Sequence, residues 1–263
     1  MANGIFFSAN DLKNQVGMAN KYIHDLVAAS NAANGYKPSD PQYMVAGSGD
    51  KVISQYEIRT EQLLNPNTNI YKFALIQNQN QGALLQPGET RIQQQDIFIC
   101  LGIQYYIRIQ STGSNQTWQY MLNFGPDAIF NGMGGVISSY LQYGFWNGRI
   151  SLNMNGRNII EDWALKKHME TPTTQSPIYA TFVNTAEYPL SNEKYGSVSG
   201  LYPCYPMLPI DGSSNAQLQV QYDSSLATIY GTANPTIYAG MYLQGLRGYN
   251  LGKIINPNIP IPH

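Results

Sequence analysis

Charge is scarce in this chain. Of 263 residues, 15 are Lys or Arg and 16 are Asp or Glu, a charged fraction of 12%, against roughly 25% in an average soluble domain. The net charge is −1 and no basic run occurs. That excludes a main role in nucleic-acid binding, which relies on clustered Lys and Arg, and no sequence-specific nucleic-acid contact is expected. No stretch approaches the ~20 apolar residues of a membrane span. The start, Met1-Ala-Asn-Gly-Ile-Phe-Phe, lacks a basic n-region and a long apolar h-region, so no signal peptide is expected.

Residues that carry chemistry are equally sparse. There are two cysteines, Cys100 and Cys204, which make neither a C-x-x-C motif nor a disulfide framework and read as small core residues. No Cys/His cluster has zinc spacing and no D-x-D-x-D loop occurs, so no metal or other cofactor is expected. Of three histidines, His263 is terminal and His24 falls in a helical pattern. His168 is left as the acid–base candidate, without a partner recognisable from spacing. Gly196-Ser-Val-Ser-Gly200 has Val198 where a nucleophile elbow needs Ser. Neither glycine-rich phosphate-binding pattern is found. Glu161 and Asp162 are adjacent on a strand-like segment and so point to opposite faces, a poor start for a carboxylate dyad. Asn115-Gln-Thr117 is a formal sequon and reads as a polar turn. No enzymatic activity is expected.

Polarity is carried instead by 25 Asn and 21 Gln, beside 20 Tyr. Amides and phenols offer hydrogen bonds and contact area without the desolvation cost of a buried Lys or Glu, which suits surfaces that meet other protein surfaces.

One segment reads as helix. Leu12, Val16, Ala19, Ile23 and Leu26 recur at spacings of 4, 3, 4 and 3, giving an apolar stripe with Lys13, Asn14, Asn20, Lys21 and Asp25 opposite. The stripe must be buried on the protein's own barrel, on a neighbouring subunit or on lipid, though two Lys match anionic headgroups poorly. Residues 30–50 form a breaker-rich linker. From about residue 52 the pattern is strands and turns. Ile97, Ile99, Leu101, Ile103, Tyr105, Ile107 and Ile109 alternate strictly, predicting a long core strand over 96–110 with one wholly apolar side. Further strands are expected at 69–77, 117–122, 178–183, 216–222, 226–230 and 236–243, with a hairpin at Asn155-Gly156. The glycine-rich stretch 125–145 suggests a boundary between two β-rich halves, 51–135 and 136–263. Each half carries a Pro-Gly corner, at Leu84–Ile92 and Met207–Gly212. The tail from Ile255 alternates Pro with Ile259 and Ile261 and favours an extended arm that either frays or clasps a neighbour.

The helix at 9–29, the two β-rich halves, the corner Gln86-Pro87-Gly88-Glu89, the long strand 96–110, the hairpin 148–160 and the Pro-rich tail together resemble the double jelly-roll major capsid proteins of tailless icosahedral viruses. The likeness is greatest to those of lipid-containing Flavobacterium phages. It implies a mainly β fold of two successive jelly rolls after an N-terminal amphipathic helix. It further implies homotrimeric capsomers of pseudo-hexagonal outline in an icosahedral virion shell, made in the host cytoplasm. Penton or minor capsid proteins, and an internal membrane, are the implied neighbours. Under this reading Leu12, Val16, Ala19, Ile23, Leu26, Ile259 and Ile261 are assembly contacts, and Asp at positions 23 and 26 should harm assembly more than folding. The competing expectation is a phage fibre, spike or carbohydrate-binding jelly roll that stacks sugars on Trp118, Trp146 or Trp163.

Overall fold

The computed structural model describes residues 9–49, 51–65, 67–77, 89–110, 143–168, 201–223, 225 and 236–252. The protein is mainly β: among the described residues one N-terminal helix, α1 (Ala9–Ala33), precedes eight strands. These are β1 (Ile53–Leu63), β2 (Ile70–Ala74), β3 (Ile97–Gln110), β4 (Gly148–Met154), β5 (Arg157–Ala164), β6 (Tyr202–Asp211), β7 (Ala216–Tyr222) and β8 (Thr236–Gly248). They form two four-stranded antiparallel sheets, ordered β1-β8-β3-β6 and β2-β7-β4-β5.

The pairing of the described strands runs across the expected division at 135/136. The first strand pairs with the last, Ile53 opposite Gly248 and Leu63 opposite Tyr238. Likewise β2 lies against β7. Each sheet therefore mixes strands from both sides of the glycine-rich stretch, and the described strands do not sort into two successive barrels. Residues 125–142 of the stretch, with the expected strands at 117–122, 178–183 and 226–230 and the corner residues Gln86–Gly88, lie outside the described residues; its end, Tyr143–Trp146, is a short 3-10 turn.

Where the pattern is local, sequence and structure agree. In β7, Leu218, Val220 and Tyr222 are buried while Gln217 and Gln221 are exposed, as period 2 requires. The β4–β5 hairpin turns at Asn155 and Gly156, with φ of 50° and 80°, the positive values that a type I′ turn needs and that Asn and Gly tolerate. Gly156 N donates to Asn153 Oδ1 at 3.0 Å.

Two local readings fail for identifiable reasons. The single apolar side expected of β3 is divided, because the register against both β6 and β8 shifts between Cys100 and Gly102. Ile97, Ile99 and Leu101 consequently face one way, into a cluster with α1. Ile103, Tyr105 and Ile107 face the other way, into the space between the sheets, together with Phe98 and Cys100. A one-residue bulge flips every side chain beyond it. The second failure is β6. The corner expected at Met207–Gly212 is strand as far as Asp211, in a segment that also holds Pro203 and Pro206. Among the described strands β6 ends its sheet, and an edge strand tolerates residues that cannot donate to a ladder.

The main core lies between the sheets, around Phe73, Tyr105, Leu152, Leu218, Met241 and Leu243, all fully buried. A buried ion pair closes one end: Arg247 Nε donates to Asp96 Oδ2 at 2.7 Å, and Asp96 Oδ1 accepts Asn250 N at 2.9 Å. The guanidinium lies 4.6 Å from the ring centre of Tyr56 and 4.0 Å from that of Tyr249. Such a pair is costly to desolvate alone and is held by the extra bond and the rings.

Candidate functional site

The outer face of the β1-β8-β3-β6 sheet, away from the second sheet, gathers four of the residues singled out by the sequence, Val16, Ala19, Ile23 and Leu26. One half of it is apolar. Ala19, Ile23 and Leu26 of α1 are completely buried there, with Val16 partly so, against Ile97, Ile99, Leu101, Met207, Leu246 and Leu251. Side chains with no exposed surface in a single chain have none left to offer a neighbour. Ala19, Ile23 and Leu26, expected as assembly contacts, pack in this chain on the protein's own sheet. The side chain of Leu12, together with Ile259 and Ile261, lies outside the described residues. The bulge in β3 makes this dock possible, because without it Ile97, Ile99 and Leu101 would share a face with Ile103 and Tyr105.

The other half of the face is a polar network. Arg59 Nε donates to Tyr106 Oη at 2.9 Å, Arg59 Nη2 to Glu61 Oε1 at 2.9 Å, and Tyr106 Oη to the same Glu61 oxygen at 2.7 Å. The three groups close a triangle in which each satisfies two others. Glu61 and Tyr106 are buried, and burial, followed by the charge of Glu61, drives the Tyr106 phenol far above its ordinary range. It stays a hydrogen-bond donor. Gly240 leaves room for that ring: a Cβ there would stand 2.0 Å from its Cζ. Glu89 extends the network, its Oε1 accepting Glu61 N at 2.6 Å and its Oε2 facing Arg91 Nη2 at 3.3 Å. Nearby, Tyr242 Oη donates to Glu57, and burial, then the bond and charge of Glu57, push this phenol up to about 12. The arrangement suits a clamp across β1, β3 and β8.

His168 packs as an aromatic. It is fully buried, stacked on Trp163 with ring centres 6.0 Å apart and 11° between planes, and met edge-on by Tyr202. Lys167 Nζ lies 5.1 Å from the Trp163 ring and 5.3 Å from that of Tyr202. Of the tryptophans considered for sugar stacking, Trp146 is buried with its ring edge-on to Tyr105. Trp163 is half-buried in the His168 cluster, and Trp118 lies outside the described residues.

A cleft of about 490 Å³ opens where β1 and β2 meet the turn before β7, lined by Gln62, Lys72, Arg91, Ser213, Asn215 and Gln217 among others. The Arg91 side chain is only 8% exposed, and its Nε has no acceptor among the described residues. No group of three or more His, Cys, Asp or Glu among the described residues is placed to hold a metal ion, and no described helix is long and apolar enough to cross a membrane.

One pairing was invisible in the sequence. Cys100 and Cys204, read as unrelated core residues, are brought together with their Sγ atoms 3.8 Å apart.

No protein-family model matches the chain, and neither a curated protein nor a solved structure is significantly similar to it.

Proposed function

We propose that this chain is a structural virion protein, a shell subunit that acts by assembling with copies of itself, and that its barrel is a single eight-stranded jelly roll. Strand order supports the jelly roll. The hydrogen-bonded neighbours include β1 with β8, β2 with β7, β3 with β6 and β4 with β5. The chain thus pairs from both ends inward, like one long hairpin. That hairpin is wrapped so that alternate pairs fall in opposite sheets, the arrangement of a double-sheet roll.

The observation that carries the shell reading is this strand order in a chain with only 12% charged residues. Jelly rolls serve both shells and lectins, so the step to function rests on fold analogy joined to composition. A surface poor in charge, and rich in amides and Tyr, is suited to repeated contacts between identical subunits. Exposed apolar side chains, Leu63 at the end of β1, Ile70 at the start of β2 and Ile159 on β5, add contact area. The virion is then the protein's location, and minor capsid proteins or an internal membrane are its neighbours. With one barrel per chain, a trimer has three corners, and a six-cornered capsomer takes six chains.

A second reading, a glycan-binding virion protein, is favoured by the amide- and hydroxyl-lined cleft with Lys72 and the buried Arg91. Cryo-electron microscopy of the purified chain at high concentration, with light scattering, separates the two. Closed shells or discrete rings are the expected result. A dispersed monomer that binds sugars saturably would overturn the shell reading.

A further inference from the structure

We infer that Cys100 and Cys204 form a disulfide site: two thiols while the protein sits in a reducing compartment, and a covalent bond between β3 and β6 once it meets a disulfide oxidant. The residues are 104 positions apart in sequence, yet their sulfurs lie at 3.8 Å. Both are free thiols and both are buried between the sheets. A disulfide bond is about 2.05 Å long, so the sulfurs have roughly 1.8 Å to close. Their strands are already hydrogen-bonded neighbours, Cys100 opposite Leu208 and Gly102 opposite Pro203. Cys204 falls in the segment that bulges between those two pairs. An irregular segment can shift by that amount without breaking the ladder on either side.

The same segment supplies access. β6 is the outer strand of its sheet among the described strands, and Tyr205, next to Cys204, is 68% exposed. Local opening of β6 uncovers Cys204 while β3 keeps its long pairing with β8. Until then the pair is quiet: the hydrogen bond with Cys100, and burial, hold the Cys204 thiol well above its usual value, and a protonated thiol is a poor nucleophile.

With oxidised glutathione the chemistry balances. One cysteine thiolate attacks the glutathione disulfide, forming a mixed disulfide and releasing one glutathione thiolate. The second cysteine thiolate then displaces the other glutathione. The protein loses two hydrogens, as two protons and two electrons, and one oxidised glutathione becomes two reduced molecules.

This inference stands apart from the shell reading, because it concerns the inside of one chain and is measured whether or not the chain assembles. The test is to incubate the full purified chain with oxidised glutathione, measure its intact mass, then unfold it without reductant and label thiols with a maleimide. The expected result is loss of two hydrogens, no labelled cysteine and a peptide pair joined through Cys100 and Cys204. The melting temperature should rise by about 5–15 °C, as closing a long loop implies, and dithiothreitol should reverse it. Two labelled thiols, lasting glutathione adducts, or a bond without a rise in melting temperature would overturn the inference. Cys204→Ala should leave Cys100 open to label and abolish the rise. If that variant fails to fold, the mass and labelling of the natural chain decide alone.

Discussion

Replacing Leu26 by Ala tests whether α1 belongs to the barrel or to a contact between subunits. Leu26 has no exposed surface and packs in the cluster that joins α1 to Ile97, Ile99 and Leu101. The substitution removes three carbons, worth about 2.4 kcal/mol of transfer free energy at ~0.8 kcal/mol each. The cavity left behind adds to this, within a range of ~2–5 kcal/mol for such truncations. A loss of about 3 kcal/mol is expected, or a fall in melting temperature of about 6–12 °C for a chain of this size. Calorimetry or thermal circular dichroism reads it directly. Lys21→Ala, on the exposed side of the same helix, should change stability by no more than about 0.5 kcal/mol. If Leu26→Ala melts like the natural protein but no longer assembles, the reasoning is refuted, because the partner of the stripe is then another chain. Ile23→Asp and Leu26→Asp should unfold this part of the molecule outright, since each sets an unpaired charge in an apolar cluster. That outcome reverses the expectation drawn from the stripe alone.

The polar half of the same face should respond to single atoms. Tyr106→Phe leaves Glu61 and Arg59 each one bond short and should cost about 1–3 kcal/mol by urea denaturation. Gly240→Ala forces a methyl against the Tyr106 ring and should cost at least as much; a neutral result would mean the ring lies elsewhere. Asp96→Ala strands the Arg247 guanidinium and should lower stability by about 3–5 kcal/mol, seen as an earlier unfolding midpoint at unchanged slope. Alkaline titration has a definite sign. The Tyr242 phenol stands at about 12 folded against 10.0 unfolded, so its contribution is present below pH 10 and is lost as pH rises to 12. Ultraviolet phenolate absorbance should show Tyr242→Phe flattening that loss, and an unchanged alkaline profile would count against the Tyr242–Glu57 bond.

Much of this was legible in the sequence wherever neighbours in the chain settle the matter. The stripe of α1, the alternation of β7 and the Asn155-Gly156 turn each depend on residues a few positions apart, whose periodicity and φ preferences act locally. The scarcity of charge is equally a property of composition. Tertiary structure decided the rest. The pairing of Ile53 with Gly248 spans nearly the whole strand region, and nothing near either residue encodes it. β3 shows the division most clearly: its unbroken alternation specifies a strand, but only contact with β6 and β8 places the bulge at Leu101 and so decides which isoleucines meet α1 and which enter the barrel. β6 carries three prolines, which its place at the end of the described sheet tolerates. Arg59, Glu61 and Tyr106, like Cys100 and Cys204, meet because strands far apart in sequence lie side by side in space. Periodicity reports which face a residue prefers; the sheet alone determines what stands opposite it.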